Sequence, residues 1–275
     1  MEIQILTTII IFLITGIFSG LIAGLLGVGG GIIIVPITYY IFINLGYSLD
    51  ITMHLAIASS LGVIFFTSLS SMRSHFFLGN VDKSILKKMI FGIILGSILG
   101  SLFGSTINGE ILIIIFISLA LIVSFNMFFI NNFTKISNDL PKNNFINNLI
   151  GSFIGFLSVL IGIGGGSFTV PTLSAFSKKI HKSIGTSSVF GFFIAMPGAI
   201  TYMYTGWNAL NLPPYSVGYV NLLVVLPISI SSIFFAHFGA KLSFKLKKEI
   251  LKKIFAVFLF STCISLIIEN FVISI

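Results

Sequence analysis

Two glycine clusters are the residues most able to do chemistry in this chain: Gly27-Val28-Gly29-Gly30-Gly31 and Gly162-Ile163-Gly164-Gly165-Gly166. Each is followed by an apolar stretch with a proline, Pro36 or Pro171, so each reads as the end of one helix and the start of another. A helix N-terminus exposes unpaired N–H groups and the positive end of the peptide dipoles, which together attract an anion. Glycine lets main chain approach a ligand closely and adopt positive φ. The candidate donors are Gly29, Gly30, Gly31, Gly164, Gly165 and Gly166, with Ser167 beside them. Pro36 and Pro171 are placed about one turn into their helices, where a missing N–H costs least.

Hydroxyls supply a second set. Ala58-Ser59-Ser60 and Gly185-Thr186-Ser187-Ser188 hold matched positions, making Ser59, Ser60, Thr186 and Ser187 candidate donors to anion oxygens. The competing reading is that each hydroxyl bonds back to its own helix. His54 and His181 begin two matched helices and are candidate proton relays, given the near-neutral pKa of imidazole. Arg73, the sole arginine, is a candidate gate or a topology determinant. His75 and His237 read as interfacial. A nucleotide loop is excluded, because neither cluster ends in G-K-[ST] and Ile32 and Ser167 break G-x-G-x-x-G. His, Cys and acid spacing implies no metal site, and no cofactor is expected.

The elements that carry these residues are membrane helices. Of 275 residues only 8% are charged and 56% are hydrophobic, with a mean hydropathy of +1.13. A soluble domain has about a quarter charged residues. Apolar runs at about 4–26, 52–72, 84–105, 110–130, 145–163, 183–204, 218–239 and 251–271 are long enough to span a bilayer core. Two shorter pieces, 32–45 and 167–177, follow the glycine clusters. Continuous apolarity favours helices over barrel strands. None of the seven acids falls in the middle of a run, which leaves a carboxylate relay without support.

The net charge is +8, and all fifteen Lys and Arg fall in four short segments. These are Arg73–Lys88, Lys135 with Lys142, Lys178–Lys182 and Lys241–Lys253. The positive-inside rule places all four in the cytoplasm, with both termini and Trp207 outside, in a bacterial inner membrane. No basic stripe is interleaved with aromatics as nucleic-acid binding needs. Only 29 residues, 149–177, then separate two cytoplasmic segments, whereas two crossings need about 40. The chain must enter the membrane, turn at Gly162–Gly166 and return on the same face.

An internal repeat organises the whole. Gly27, Gly29, Gly30, Gly31, Val35 and Pro36 match Gly162, Gly164, Gly165, Gly166, Val170 and Pro171 at an offset of 135. His54, Ile57, Ser60 and Gly79 match His181, Ile184, Ser187 and Gly206 at 127, and Gly104 with Gly239 restores 135. The matched turns carry opposite charge, so the repeats are inverted, an arrangement of secondary transporters that bind substrate at broken helices near the midplane. The expected fold is all-α and polytopic, with two inverted-topology repeats of about eight long helices plus two half-helices. Repeat 1 covers 1–134, a cytoplasmic linker 135–148, and repeat 2 149–275.

The doubled G-x-G-G-G-x-x-x-V-P turn, Gly185-Thr186-Ser187 and Gly79-Asn80-Val81-Asp82 together resemble the TauE/SafE family. One departure is Ala58-Ser59-Ser60-Leu61, where that family usually has G-T-S-L. No enzyme is expected, because the sequence has no mid-membrane His/Asp or Glu cluster. The resemblance implies a transporter for export, or else uptake, of a small anion such as sulfite, sulfoacetate or a related organosulfur compound. Its partners would be the lipid bilayer, a small anion, and H+ or Na+ as coupling ion. An anion channel of the same fold is the alternative, and a membrane-embedded enzyme a more distant one.

Overall fold

The computed structural model describes residues 2–129, 137–242 and 248–272, and side chains are not described for 2–4, 248–252, 255, 271 and 272. Lys135, Lys245 and Lys247, which belong to the expected basic loops, lie outside the described residues. Among the described residues ten α-helices follow one another: α1 Glu2–Leu26, α2 Gly31–Asn44, α3 Leu49–Phe77, α4 Lys83–Thr106, α5 Gly109–Phe129, α6 Asn144–Leu160, α7 Gly166–Ala175, α8 Ile180–Thr205, α9 Leu222–Leu242 and α10 Lys248–Ile267. A π-helical turn, Ile268–Val272, continues α10, and Ser216–Val217 pairs with Val220–Asn221 in a small hairpin before α9. Among the described residues six helices are long and apolar enough to cross a bilayer by themselves. The fold is thus nearly all-α, and a helix takes up most of each apolar run that is described. Both half-helices start at the expected glycines, Gly31 and Gly166.

Length separates the two kinds of helix. At 1.5 Å per residue, the 29 residues of α3 extend about 43 Å, past the hydrocarbon core on both sides. The 10 residues of α7 extend only about 15 Å. Exposed apolar side chains such as Ile10, Ile14 and Phe18 on α1, or Phe91, Leu95 and Leu99 on α4, repeat at helical spacing. They form stripes turned away from the bundle, as a lipid-facing surface requires.

Helices of the two repeats interleave. α1 packs on α9 with Gly16 against Ile228, Gly20 against Ser232 and Gly24 against Ala236, so the two run parallel. In the same way α6 packs on α4, with Gly92 against Asn148, Gly96 against Ser152 and Gly100 against Phe156. Small residues at these seams let backbones meet, which is how helices associate where no hydrophobic driving force separates lipid from side chain. The helices that correspond to each other cross in the opposite sense. Leu61 of α3 lies against Gly198 of α8, Phe65 stacks at 5.2 Å on Phe192, and Ser68 faces Gly191. α3 and α8 are therefore antiparallel. So are α5 and α10, where Ser124 bonds Ala256 and Cys263 lies by Ile117. Antiparallel counterparts mean the two repeats are inverted about an axis perpendicular to these helices.

The chain does return where it entered. Lys178 pairs with Asp139 at 2.7 Å, and Ser177 Oγ donates to the Ser137 oxygen at 3.1 Å, joining the exit of α7 to the entry of α6. Lys182 Nζ donates to the Gly79 oxygen at 2.8 Å, and Ser74 bonds His237 at 2.9 Å. These contacts gather Arg73, Lys83, Lys142, Lys178–Lys182 and Lys241 at one end of the bundle, here called the basic end. Asp50, Glu110, Tyr204, Trp207 and Tyr215 lie at the other, where Gly109 meets Leu49 and Asp50 and His54 stacks at 4.9 Å on Tyr219.

Candidate functional site

The two glycine turns meet each other. A methyl group added at Gly29 would lie 2.9 Å from the Cα of Gly164 and 3.0 Å from Ile64, which is near the middle of α3. The contact repeats with the two halves exchanged: one added at Gly31 would strike the oxygen of Gly162, and one at Gly166 the oxygen of Gly27. Gly29 and Gly164 stand on the pseudo-twofold, at mid-depth, and only a hydrogen fits there.

Hydroxyls seal this junction across the repeats. Ser60 Oγ donates to the Gly162 oxygen at 2.7 Å, and Ser187 Oγ reaches the Gly27 oxygen at 3.2 Å and its own Ile184 oxygen at 2.8 Å. Ser59 Oγ accepts from the Asn221 N–H at 2.9 Å, and Thr186 Oγ1 accepts from the Asp82 N–H at 3.0 Å. Asp82 and Asn221 also accept from main-chain N–H groups at the starts of α4 and α9. Each repeat's hydroxyl pair thus holds a turn and a helix start of the other repeat. All four side chains are fully buried. In this conformation their partners are main-chain groups.

The half-helix starts differ from those of α4 and α6. Asp82 caps α4 through Ser84 and Ile85, and Asn143 caps α6 through Phe145. Gly30 and Gly165 have no side chain to offer, so α2 and α7 begin uncapped. The first main-chain bonds run from Ile33 and Ile34 to Gly30, and from Phe168 and Thr169 to Gly165. Among the described residues no acceptor meets the N–H groups of Gly31, Ile32, Gly166 or Ser167. Two positive helix ends therefore converge on the glycine junction. The prolines sit deeper than one turn. Pro36 and Pro171 are each the sixth residue of their helix, so they deprive the carbonyls of Ile32 and Ser167 of the usual i+4 donor.

Matched sequence does not give matched backbone here. Gly27, Gly29 and Gly30 have φ of 68°, 81° and 80°. In the second turn only Gly162, at 60°, is left-handed, and Gly165 has φ −53°. A cavity of about 30 Å³ lies at the start of α7, lined by Asn126, Gly166, Ser167 and apolar neighbours. Asn126 was not among the residues expected from sequence. Its only signal was an amide inside the apolar run of α5.

The histidines and the arginine are not brought to the junction. His54 is buried, with Nδ1 at 2.8 Å from the Asp50 oxygen and Nε2 at 3.1 Å from those of Gly104 and Ile107. It lies six residues, about 9 Å along a helix, from Ser60 and ties α3 to the end of α4. His181 is the second residue of α8, half-buried at the basic end. Arg73 is exposed, its guanidinium 5.9 Å from the centre of the Phe77 ring.

The chain matches the sulfite exporter TauE/SafE family over residues 12–266. It is 31% identical over 264 residues to a probable membrane transporter protein of Haemophilus influenzae, covering 96% of this chain and 99% of that one. Another probable membrane transporter protein, from Methanocaldococcus jannaschii, is 26% identical over 92% of both chains. A third, from Bacillus subtilis, is 27% identical over 95% of this chain and 98% of its own. No solved structure matches. With its doubled glycine turn, inverted helices and this full-length likeness, the chain is a multi-pass membrane transporter of the TauE/SafE family.

Proposed function

We propose that the protein exports a small oxyanion, sulfite or a short organosulfonate, across the bacterial cytoplasmic membrane by alternating access. The observation that carries this is the meeting of two uncapped half-helix starts at Gly29 and Gly164 in mid-depth. Partial positive charge from N–H groups suits an anion that is small and accepts several hydrogen bonds. The site would comprise Gly29, Gly30, Gly31, Gly164, Gly165, Gly166 and Ser167, with Ser59, Ser60, Thr186 and Ser187 changing partners as it opens. The unequal backbones of the two turns support alternation: exchange of conformation between the inverted repeats would move the opening from one end to the other. The interleaved seams argue that the moving bodies are α1 with α9 and α4 with α6, each drawn from both repeats.

The basic end faces the cytoplasm in this reading, and both chain ends lie outside. H+ or Na+ would be the coupling ion, with His54, His181 and Arg73 relaying protons or gating at the two ends.

The test is flux in proteoliposomes of sulfite, sulfoacetate, taurine, sulfate and short carboxylates, with and without a pH gradient. Saturable counterflow of an oxyanion is expected, and a single-channel conductance instead would speak for a channel. Gly30→Leu and Gly165→Leu should both lose flux. Gly165→Leu is the variant expected to insert and fold normally, because Gly165 has φ −53° and meets the end of the Ile194 side chain first, whereas Gly30 is left-handed and faces the Ser19 oxygen. Unchanged flux in both would sink the site.

A further inference from the structure

The two half-helix starts are not equivalent as binding sites. Ser167 is 7% exposed and belongs to the cavity wall at the start of α7, and among the described residues its Oγ has no hydrogen-bond partner. A buried hydroxyl without a partner pays the full cost of leaving water, and a ligand that supplied the missing bond would recover it. The corresponding residue of the first repeat, 135 positions earlier, is Ile32, fully buried. It cannot donate. Both starts are pressed on the opposing turn, Gly31 on Gly162 and Gly166 on Gly27, so what distinguishes them is the Ser167 hydroxyl and the cavity beside it.

Across the cavity stands Asn126, near the C-terminal end of α5, whose amide offers two donors. The remaining wall is apolar and includes Met127, Val170 and Ile184. Among the described residues no charged side chain lines it. The cavity also lies toward the basic end: α5 runs away from Gly109 at the opposite end, and Ile184 is one turn from Lys179. A volume of about 30 Å³ accommodates roughly two waters, which is room for the head of an oxyanion, and an organic tail would have to lie outside along the apolar wall.

We propose that the substrate is held from one side only, with its oxyanion head on Ser167 Oγ, the Gly166 and Ser167 N–H groups and the Asn126 amide, entering from the basic end. This rests on the transport reading above and adds a residue, Asn126, and an asymmetry to it. Specificity then comes from directed neutral donors, so the ligand class is a compact oxyanion head, free as sulfite or carried on a short sulfonate.

The experiment is counterflow and binding with the full chain in proteoliposomes, using sulfite, methanesulfonate and sulfoacetate as probes. Ser167→Ala and Asn126→Leu should each raise KM about tenfold with the maximal rate within twofold of wild type. Ser167→Thr, which keeps the hydroxyl, should stay within about threefold. Sulfite should protect detergent-solubilised wild type against thermal unfolding and protect the two disabled variants much less, a readout independent of turnover. Equal KM losses for all three probes identify the head as the recognised part, while losses confined to sulfite restrict the site to the free ion. Wild-type KM in both disabled variants, alongside saturable wild-type flux, overturns this assignment and leaves the transport reading standing. Absence of saturable wild-type flux for every oxyanion overturns both.

Discussion

Ser60 donates its hydroxyl to the main-chain oxygen of Gly162 at 2.7 Å, joining the third helix of one repeat to the glycine turn of the other. Its counterpart, Ser187 on Gly27, is longer at 3.2 Å and is shared with the Ile184 oxygen. The pseudo-twofold therefore relates two bonds of unequal strength. Removing Ser60 Oγ leaves a buried carbonyl unmet, at a cost of about 1–3 kcal/mol, whereas Ser187 already divides its proton. Ser60→Ala should lower the thermal midpoint in detergent more than Ser187→Ala does, and equal shifts would show the two latches to be equivalent.

Glycine at the junction is set by space and by backbone at once. Gly29 has φ 81° and a methyl there would lie 2.9 Å from Gly164. Gly46 has φ 86° with nothing within 4 Å of the added atom. Gly46→Ala should then cost only the left-handed strain, about 1 kcal/mol. Gly29→Ala adds a main-chain clash and should abolish folded protein in size-exclusion profiles. Comparable yields of the two variants would show that the turns separate freely.

Sidedness can be read with single cysteines. Cys263 is buried, so a Cys263→Ser background leaves new thiols at Lys178 and Trp207 to report alone. Lys178→Cys should be modified only from the cytoplasmic face and Trp207→Cys only from outside, in intact cells with an impermeant reagent. Labelling of both from one face would refute the orientation and the inversion of charge between repeats.

The Lys178–Asp139 pair holds the Asp139 carboxyl below its ordinary pKa, through the hydrogen bond to Lys178 and then its charge. A depressed carboxyl pKa contributes stability that is present above the unfolded value and lost as pH falls through the folded one. Asp139 is fully exposed, so solvent and salt screen the pair. Asp139→Asn should lower the thermal midpoint only slightly at neutral pH, and its pH–stability curve should merge with that of wild type in acid, where the carboxyl is protonated. A large loss at pH 7 would mean that this clasp, and not the packing of α6 and α7, holds the re-entrant segment in place.

Much of the architecture was legible because membrane helices write themselves in the sequence. Most of each described apolar run became a helix, and the basic residues that are described collect at one end. The 29-residue interval predicted a segment returning to its own face, and the Lys178–Asp139 contact closes that return. Partners were not legible. The series Gly16, Gly20, Gly24 marks a face for close packing, but nothing in it names α9. Ser60 stood out as a matched hydroxyl, yet its bond goes to a glycine 102 residues away. Asn126 was hidden because one amide in an apolar run has no periodic signature, and the cavity beside it exists only in the folded chain.

The exchange of seams between the halves has a consequence for how the chain is made. α1 emerges first and its companion α9 comes some two hundred residues later, so the glycine face of α1 must wait in the bilayer through most of synthesis. Pairing across such a separation carries a high loop-closure cost and is slow. Until it completes, the small-residue stripe is open to other chains in the membrane. The nascent first half is thus the vulnerable species, and insertion factors that shelter it, together with the rate at which the second half follows, would govern how much transporter a cell obtains.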